Sequence, residues 1–170
     1  PRRHRQNKRL ATPMSARSTA LDTRIPPPLV LLSVGFAMWL LARLTPQFVV
    51  HSFLQWPLAA ALAVVGLLCE VLPGLRFRRA GTTVNPLRPQ NSSRLVVEGL
   101  NRYSRNPMYL GQPVLLFAWA AMLAHPLSAL LTPLFALYIT RFQIVPEERA
   151  LAAHFGAEYG AYRARVRRWI

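Results

Sequence analysis

Apolar residues in this chain are gathered into runs rather than spread at the spacing of a soluble core, and the runs are about as long as a bilayer is thick. A helix crossing the hydrocarbon layer needs about 20 residues at about 1.5 Å each. Residues 25–44 read IPPPLVLLSVGFAMWLLARL, with the prolines confined to the first turn, where a missing N–H is harmless. Residues 54–75 carry one charge, Glu70. Residues 108–124 and 127–145 follow, separated only by His125 and Pro126, so they must form a tight antiparallel hairpin; Pro113 marks the third run for a kink or tilt. The pattern predicts an all-α polytopic membrane protein with about four transmembrane helices.

Charge is informative by position. The chain holds 21 Lys+Arg against 6 Asp+Glu, a net +15, while being 52% hydrophobic. In a soluble domain that excess would point to nucleic acid. Here the basic residues flank the apolar runs, so no nucleic-acid partner is expected. Arg2, Arg3, Arg5, Lys8, Arg9, Arg17 and Arg24 precede the first run; Arg76, Arg78, Arg79, Arg88, Arg94, Arg102 and Arg105 separate the second from the third. Six more lie from Arg141 onward, and only Arg43 is near an opposite connection. By the positive-inside rule both termini and the middle loop are cytoplasmic. No small-residue cleavage site follows LLARLTPQF, so the first run reads as a retained helix.

The expected organisation is a basic disordered tail at 1–24, two transmembrane helices within 25–75, a cytoplasmic loop at 76–107, and a helical hairpin with a C-terminal segment at 108–170. The tail acts as a topology signal and adds attraction to anionic lipid, about 1 kcal/mol per basic residue near the surface. Cys69 is the one cysteine, which excludes an internal disulfide and any multi-cysteine metal site; the four histidines are scattered, and no metal is expected.

Polar chemistry gathers in two stretches. In RFQIVPEERALAAHFGAEYGAYRARVRRW, the residues Leu151, Phe155, Tyr159, Tyr162, Val166 and Trp169 recur at helical spacing, which predicts a cytoplasmic amphipathic helix after the last span, weakened at Gly156 and Gly160. Glu147 and Glu148 follow Pro146, a good helix start. Glu70 is expected to pair with Arg76 or Arg78, or else to line a polar cavity. Ahead of the third run, Asn106 is held extended by Pro107, and Arg105, Asn106 and Tyr109 stand together opposite the glutamate pair. No glycine-rich phosphate loop or serine nucleophile motif is present.

LVVEGLNRYSRNPMYLGQPVLL, followed about 30 residues later by the RFQIVPEERALAAHFGAEYGAYRARVRRW stretch, resembles the isoprenylcysteine carboxyl methyltransferase and phospholipid methyltransferase superfamily, and most of all its small bacterial integral membrane members. The resemblance runs from about residue 76 to 170 and includes GTTVNPLRP upstream. It implies an S-adenosylmethionine-dependent methyltransferase whose cofactor site uses Leu95, Val96, Asn106, Pro107, Met108, Tyr109 and Glu147. Arg105, from the same motif, and Glu148, beside Glu147, are the expected catalytic residues. The prenylcysteine enzymes carry histidines where this chain has Ser93 and Asn106, an aromatic where it has Asn101, and an arginine where it has Gln143.

The expected acceptor is therefore a lipid or lipophilic small molecule, amine or carboxylate, that enters from the bilayer. An amine fits better, because nothing aligned with the missing arginine remains to clamp a carboxylate, and Glu148 is the nearest proton acceptor. The expected location is the bacterial inner membrane. The rival expectation is a non-catalytic membrane protein that binds anionic lipid or a partner through its basic cytoplasmic face.

Overall fold

The computed structural model describes residues 24–79 and 95–170; the basic tail up to residue 23 and the turn-rich stretch 80–94 lie outside the described residues. Among the described residues the chain is helical and contains no strand. In order come α1 (Pro27–Leu44), a 3-10 turn at Pro46–Phe48, α2 (Gln55–Arg79), a 3-10 turn at Gly99–Arg102, α3 (Pro107–Met122), a 3-10 turn at Pro126–Leu130, α4 (Leu131–Ile139), a π-helical turn at Thr140–Ile144 and α5 (Val145–Arg165).

Three stretches are long and apolar enough to cross a membrane: Pro27–Leu44, Gln55–Arg79 and the continuous Pro126–Arg165. The fourth expected span is α3, and its 16 residues reach about 24 Å, short of a hydrocarbon layer of about 30 Å. Pro107 fixes its start, and Ala124 ends it by taking a left-handed φ of 50° just past the C-cap Leu123.

The helices alternate in direction. At one end, Gln55 Nε2 donates to Met122 O at 3.1 Å, Val50 N to Ala124 O at 2.7 Å, and His125 Nε2 lies 3.1 Å from Thr45 Oγ1. At the other end, Gln143 Nε2 donates to Ile25 O at 2.5 Å. His125 is fully buried and caps the 3-10 turn, its Nδ1 accepting from Ser128 N at 3.1 Å. Met38, Tyr109, Leu116, Phe135, Ile139 and Ile144 form the core where α1, α3, α4 and the π turn meet. Trp119 Nε1 pins α3 to α1 by donating to Gly35 O at 2.9 Å. Leu32, Phe36 and Leu44 on α1 and Val64, Leu67, Leu68 and Val71 on α2 remain exposed. Apolar surface so continuous has a natural counterpart in lipid.

The α2–α3 contact depends on two glycines. A Cβ on Gly66 would sit 2.8 Å from the Leu115 side chain, and one on Gly111 would sit 2.6 Å from Gly66 O. Such close backbone approach is how small residues let membrane helices pack.

The C-terminal region departs from expectation. No break separates the last span from an amphipathic helix; the chain stays helical from Pro126 to Arg165. Pro146 lacks the N–H that would complete an α-helical turn and its ring crowds the preceding carbonyls. The chain absorbs this as a π turn, in which Val145 N reaches back to Thr140 O. The redirection comes at Gly156, one of the two glycines expected to weaken the helix, with φ 51° and ψ −120° inside α5. Helix ends at Arg165, so Val166 and Trp169 do not continue its face: Val166 is extended and Trp169 packs against the core.

The same glycine-to-alanine change should have opposite signs at two sites. Gly111→Ala drives a methyl into Gly66 O and should cost about 1–3 kcal/mol. Gly160 is helical with open space around it, so Gly160→Ala should stabilise by about 0.5–1 kcal/mol. Thermal unfolding in detergent reads both; destabilisation by Gly160→Ala would mean a close contact there.

Candidate functional site

At the end of the bundle where α3 begins, the extended C-terminal tail runs beside the entrance of the helix. Arg105 N donates to Arg167 O at 2.9 Å, while Ser104 Oγ and Asn106 Nδ2 donate to Arg168 O at 3.2 and 3.1 Å. Asn106 N is satisfied by Ser104 Oγ at 3.1 Å. Asn106 thus stands at the N-cap position of α3 with its side chain committed to the tail, and Pro107 occupies the first helical position.

Two adjacent glutamates in the first turn of α5 meet this entrance in different ways. Glu148 is buried and held through both oxygens: Arg168 Nη2 to Oε2 at 2.8 Å, Arg168 Nε to Oε1 at 3.1 Å, and Arg105 Nη2 to Oε1 at 3.3 Å. The Arg168 pair is a bidentate fork, the strong geometry for a guanidinium and a carboxylate, and Glu148 holds the Arg168 charge in place, raising its proton affinity. The sequence points to Glu148 as a proton acceptor, and in the structure both its oxygens are engaged by arginines.

Glu147 points to α3, where Tyr109 Oη donates to its Oε2 at 3.0 Å. Burial pushes the Glu147 carboxyl up to about 7, with the tyrosine hydrogen bond pulling it down and Glu148 pushing it up. Tyr159 is buried within electrostatic reach of Glu148, Arg105 and Glu147, and burial with the carboxylates raises its phenol to about 12. Tyr162 Oη donates to Asn101 O at 2.7 Å, fastening the 3-10 turn under α5.

The structure therefore joins Arg105, Asn106, Pro107, Tyr109, Glu147 and Glu148 at one end of the bundle. Met108 is half-buried in the first turn of α3. Leu95 and Val96, also half-buried, lie in the extended run leading to the Gly99 turn and are apolar, so they add shape rather than charge. Arg168 and Ser104 were not foreseen. The late arginine run reads in sequence as a surface feature, and the one that turns inward is set by the extended tail. Glu70 faces α3, where it hydrogen-bonds Gln112 and its Cγ crowds the Gly111 position. Arg76 is directed to Gly99.

Several buried polar atoms have no partner among the described residues. Arg105 is nine-tenths buried and uses Nη2 on Glu148, leaving Nε and Nη1 without acceptors. Gln112 Oε1 and Gln143 Oε1 are buried without donors. Gln112 lies one turn beyond Tyr109 on α3, and Gln143 four residues before Glu147. Buried polar groups in folded proteins are nearly always satisfied, so an orphan donor pair on an arginine that already holds a carboxylate has the character of a binding site.

A helical membrane protein with a polar site at one end of its bundle is the class these features define. The phospholipid methyltransferase family matches residues 54–158, and the chain belongs to that family. It is also 43% identical over 63 residues, 37% of its own length, to a protein of unassigned function from Haemophilus influenzae, all of whose length is covered. No solved structure matches. The chain is thus a membrane methyltransferase in its general kind.

Removing Glu148 leaves Arg105 buried with no carboxylate, so Glu148→Ala should destabilise by about 3 kcal/mol, the lower range for breaking a buried pair because Arg168 is partly exposed. Glu147→Ala leaves no cation behind and should cost less. Thermal unfolding of the two variants checks the order, and equal losses would contradict the clamp.

Proposed function

We propose that this chain moves a methyl group from S-adenosylmethionine to an amine carried by a lipid or lipophilic molecule, at the cytoplasmic face of the bacterial inner membrane. The observation that carries the reading is Arg105, with two unpartnered buried donors on the same site as the Glu147 carboxylate. A ligand that brings a carboxylate and an ammonium together answers both. Arg105 Nε and Nη1 would take the carboxylate, and Glu147, braced by Tyr109, would take the ammonium or a ribose hydroxyl. The backbone around Asn106 and Pro107 and the apolar Leu95, Val96 and Met108 would border the remainder.

When bound, the cofactor supplies a methyl carbon already activated by a positively charged sulfur. The protein's work is then alignment and exclusion of water. Arg105 is fixed by Glu148, and Glu148 by Arg168, so the anchor does not have to be ordered when the ligand arrives. Gln112 Oε1 and Gln143 Oε1 favour an acceptor that brings N–H donors rather than a carboxylate. An amine entering from an apolar layer is biased to its neutral form, so no base is needed during transfer, and the proton leaves afterwards to water at the mouth. Glu148, bound by two arginines, is not assigned that proton. The clustering of basic residues at the site end favours a cytoplasmic orientation with both termini on that side.

Calorimetry with S-adenosylhomocysteine on the detergent-purified protein tests the cofactor. Glu147→Gln should weaken binding by about 1–3 kcal/mol, and the exposed Glu158→Gln should leave it unchanged. The pH dependence has a definite sign. Glu147 must be ionised to hold a cation, so affinity should rise as pH increases through about 7 and then level off. The fold binds that proton more tightly than the unfolded chain, whose carboxyl titrates near 4.5, so stability without ligand should fall over the interval from 4.5 to about 7. Glu147→Gln should abolish both trends. A folded protein that binds no S-adenosylhomocysteine would favour a non-catalytic, lipid-binding role.

The acceptor is tested by labelled S-adenosylmethionine with total bacterial lipid and, separately, a prenylcysteine analogue. Label should enter an amine-bearing lipid fraction. Label found only in the prenylcysteine ester would overturn the amine assignment.

A further inference from the structure

A cleft of about 830 Å³ lies between the end of α2, the 3-10 turn at Gly99–Arg102 and the end of α5. Its volume suits a small organic ligand, for which pockets run about 300–1,000 Å³. None of Arg105, Asn106, Tyr109, Glu147 or Glu148 lines it. Arg76, Arg102 and Arg165 do, against the single carboxylate Glu98.

The cleft has a built wall. Gly99 takes φ +64° and a Cβ there would collide with the Arg76 guanidinium, so the missing side chain is what lets Arg76 lie against the turn. Tyr162 is buried and held by Asn101 O, which fixes its ring as a second wall. The cleft is also continuous with the lipid-facing surface of α2. Leu72, one turn before Arg76, lines it and is half-exposed, in a row with the exposed Leu68 and Leu75. Tyr103, 73% exposed, stands at the rim, as aromatics do at a membrane interface.

We infer that this cleft seats the phosphate headgroup of an acidic glycerophospholipid, with its acyl chains lying along Leu72 and the neighbouring exposed face of α2. A soluble anion would use the arginines but gain nothing from the apolar path. A zwitterionic lipid would bring a second cation among three guanidiniums. The assignment does not depend on the methyl-transfer reading and stands or falls separately.

Native mass spectrometry of the detergent-solubilised protein, titrated with phosphatidylglycerol, phosphatidylcholine or inorganic phosphate, tests it. Arg102 and Arg165 are exposed, so the double variant Arg102→Gln/Arg165→Gln should fold. It should lose about tenfold or more in phosphatidylglycerol affinity, as expected for two interfacial arginines. Arg78→Gln/Arg163→Gln removes the same charge outside the cleft and should lose far less. Glu98→Gln should tighten binding. Equal losses in the two double variants would mean diffuse surface attraction and overturn the site. Displacement of phosphatidylglycerol by inorganic phosphate at equal concentration, or equal affinity for phosphatidylcholine, would overturn the acidic lipid as occupant.

Discussion

The ion cluster at Glu148 is the constraint on which the site depends. It gathers three parts of the chain that are distant in sequence: the entrance of α3 through Arg105, the first turn of α5 through Glu148, and the terminal tail through Arg168. A buried arginine and glutamate with a partly exposed second arginine are unfavourable unless their geometry is good. The fork from Arg168 supplies that geometry, and the tail backbone reinforces it by accepting from Arg105, Ser104 and Asn106. The cluster retains a net positive charge, and two donors of Arg105, Nε and Nη1, are buried without partners among the described residues.

Proline and glycine place this cluster. Pro146 interrupts the regular hydrogen bonding of a long helix, and the resulting π turn precedes the glutamates and carries Gln143, whose amide ties α1 to the site. Gly156 then turns α5, bringing Tyr159 and Tyr162 back over the 3-10 turn. On the other side, Gly66 and Gly111 let α2 and α3 approach closely, so Glu70 and Gln112 meet at their seam. Each of these positions departs from regular geometry for a steric reason carried by one residue.

Much of this was legible from residues alone. Apolar run length gave the helices and their alternation, and the spacing of Arg105, Asn106, Tyr109 and the glutamate pair marked the site end. What was not legible has physical causes. Run length bounded α3 closely, at 108–124 against Pro107–Met122, but not the steric devices that set its ends, Pro107 at the start and the left-handed Ala124 after it. Helical periodicity placed Val166 and Trp169 on an α5 face, yet the backbone extends after Arg165 and Trp169 reaches the core by another route. Arg168 was indistinguishable from its neighbours because its role is fixed by a tail conformation that leaves no local pattern.

The adjacent glutamates show why residue type alone could not assign roles. Consecutive helix positions point about 100° apart, so a pair on one turn must face different surroundings. Glu148 faces two guanidiniums, with both oxygens occupied. Glu147 faces a tyrosine in a half-buried setting, and burial raises its carboxyl. One carboxylate is thereby committed to an ion cluster and the other to a single hydroxyl. With Glu147 ionised, the four groups Arg105, Arg168, Glu147 and Glu148 sum to zero. Exchanging the two roles would require exchanging the helix faces, which the Tyr109 hydrogen bond on one side and the terminal tail on the other prevent.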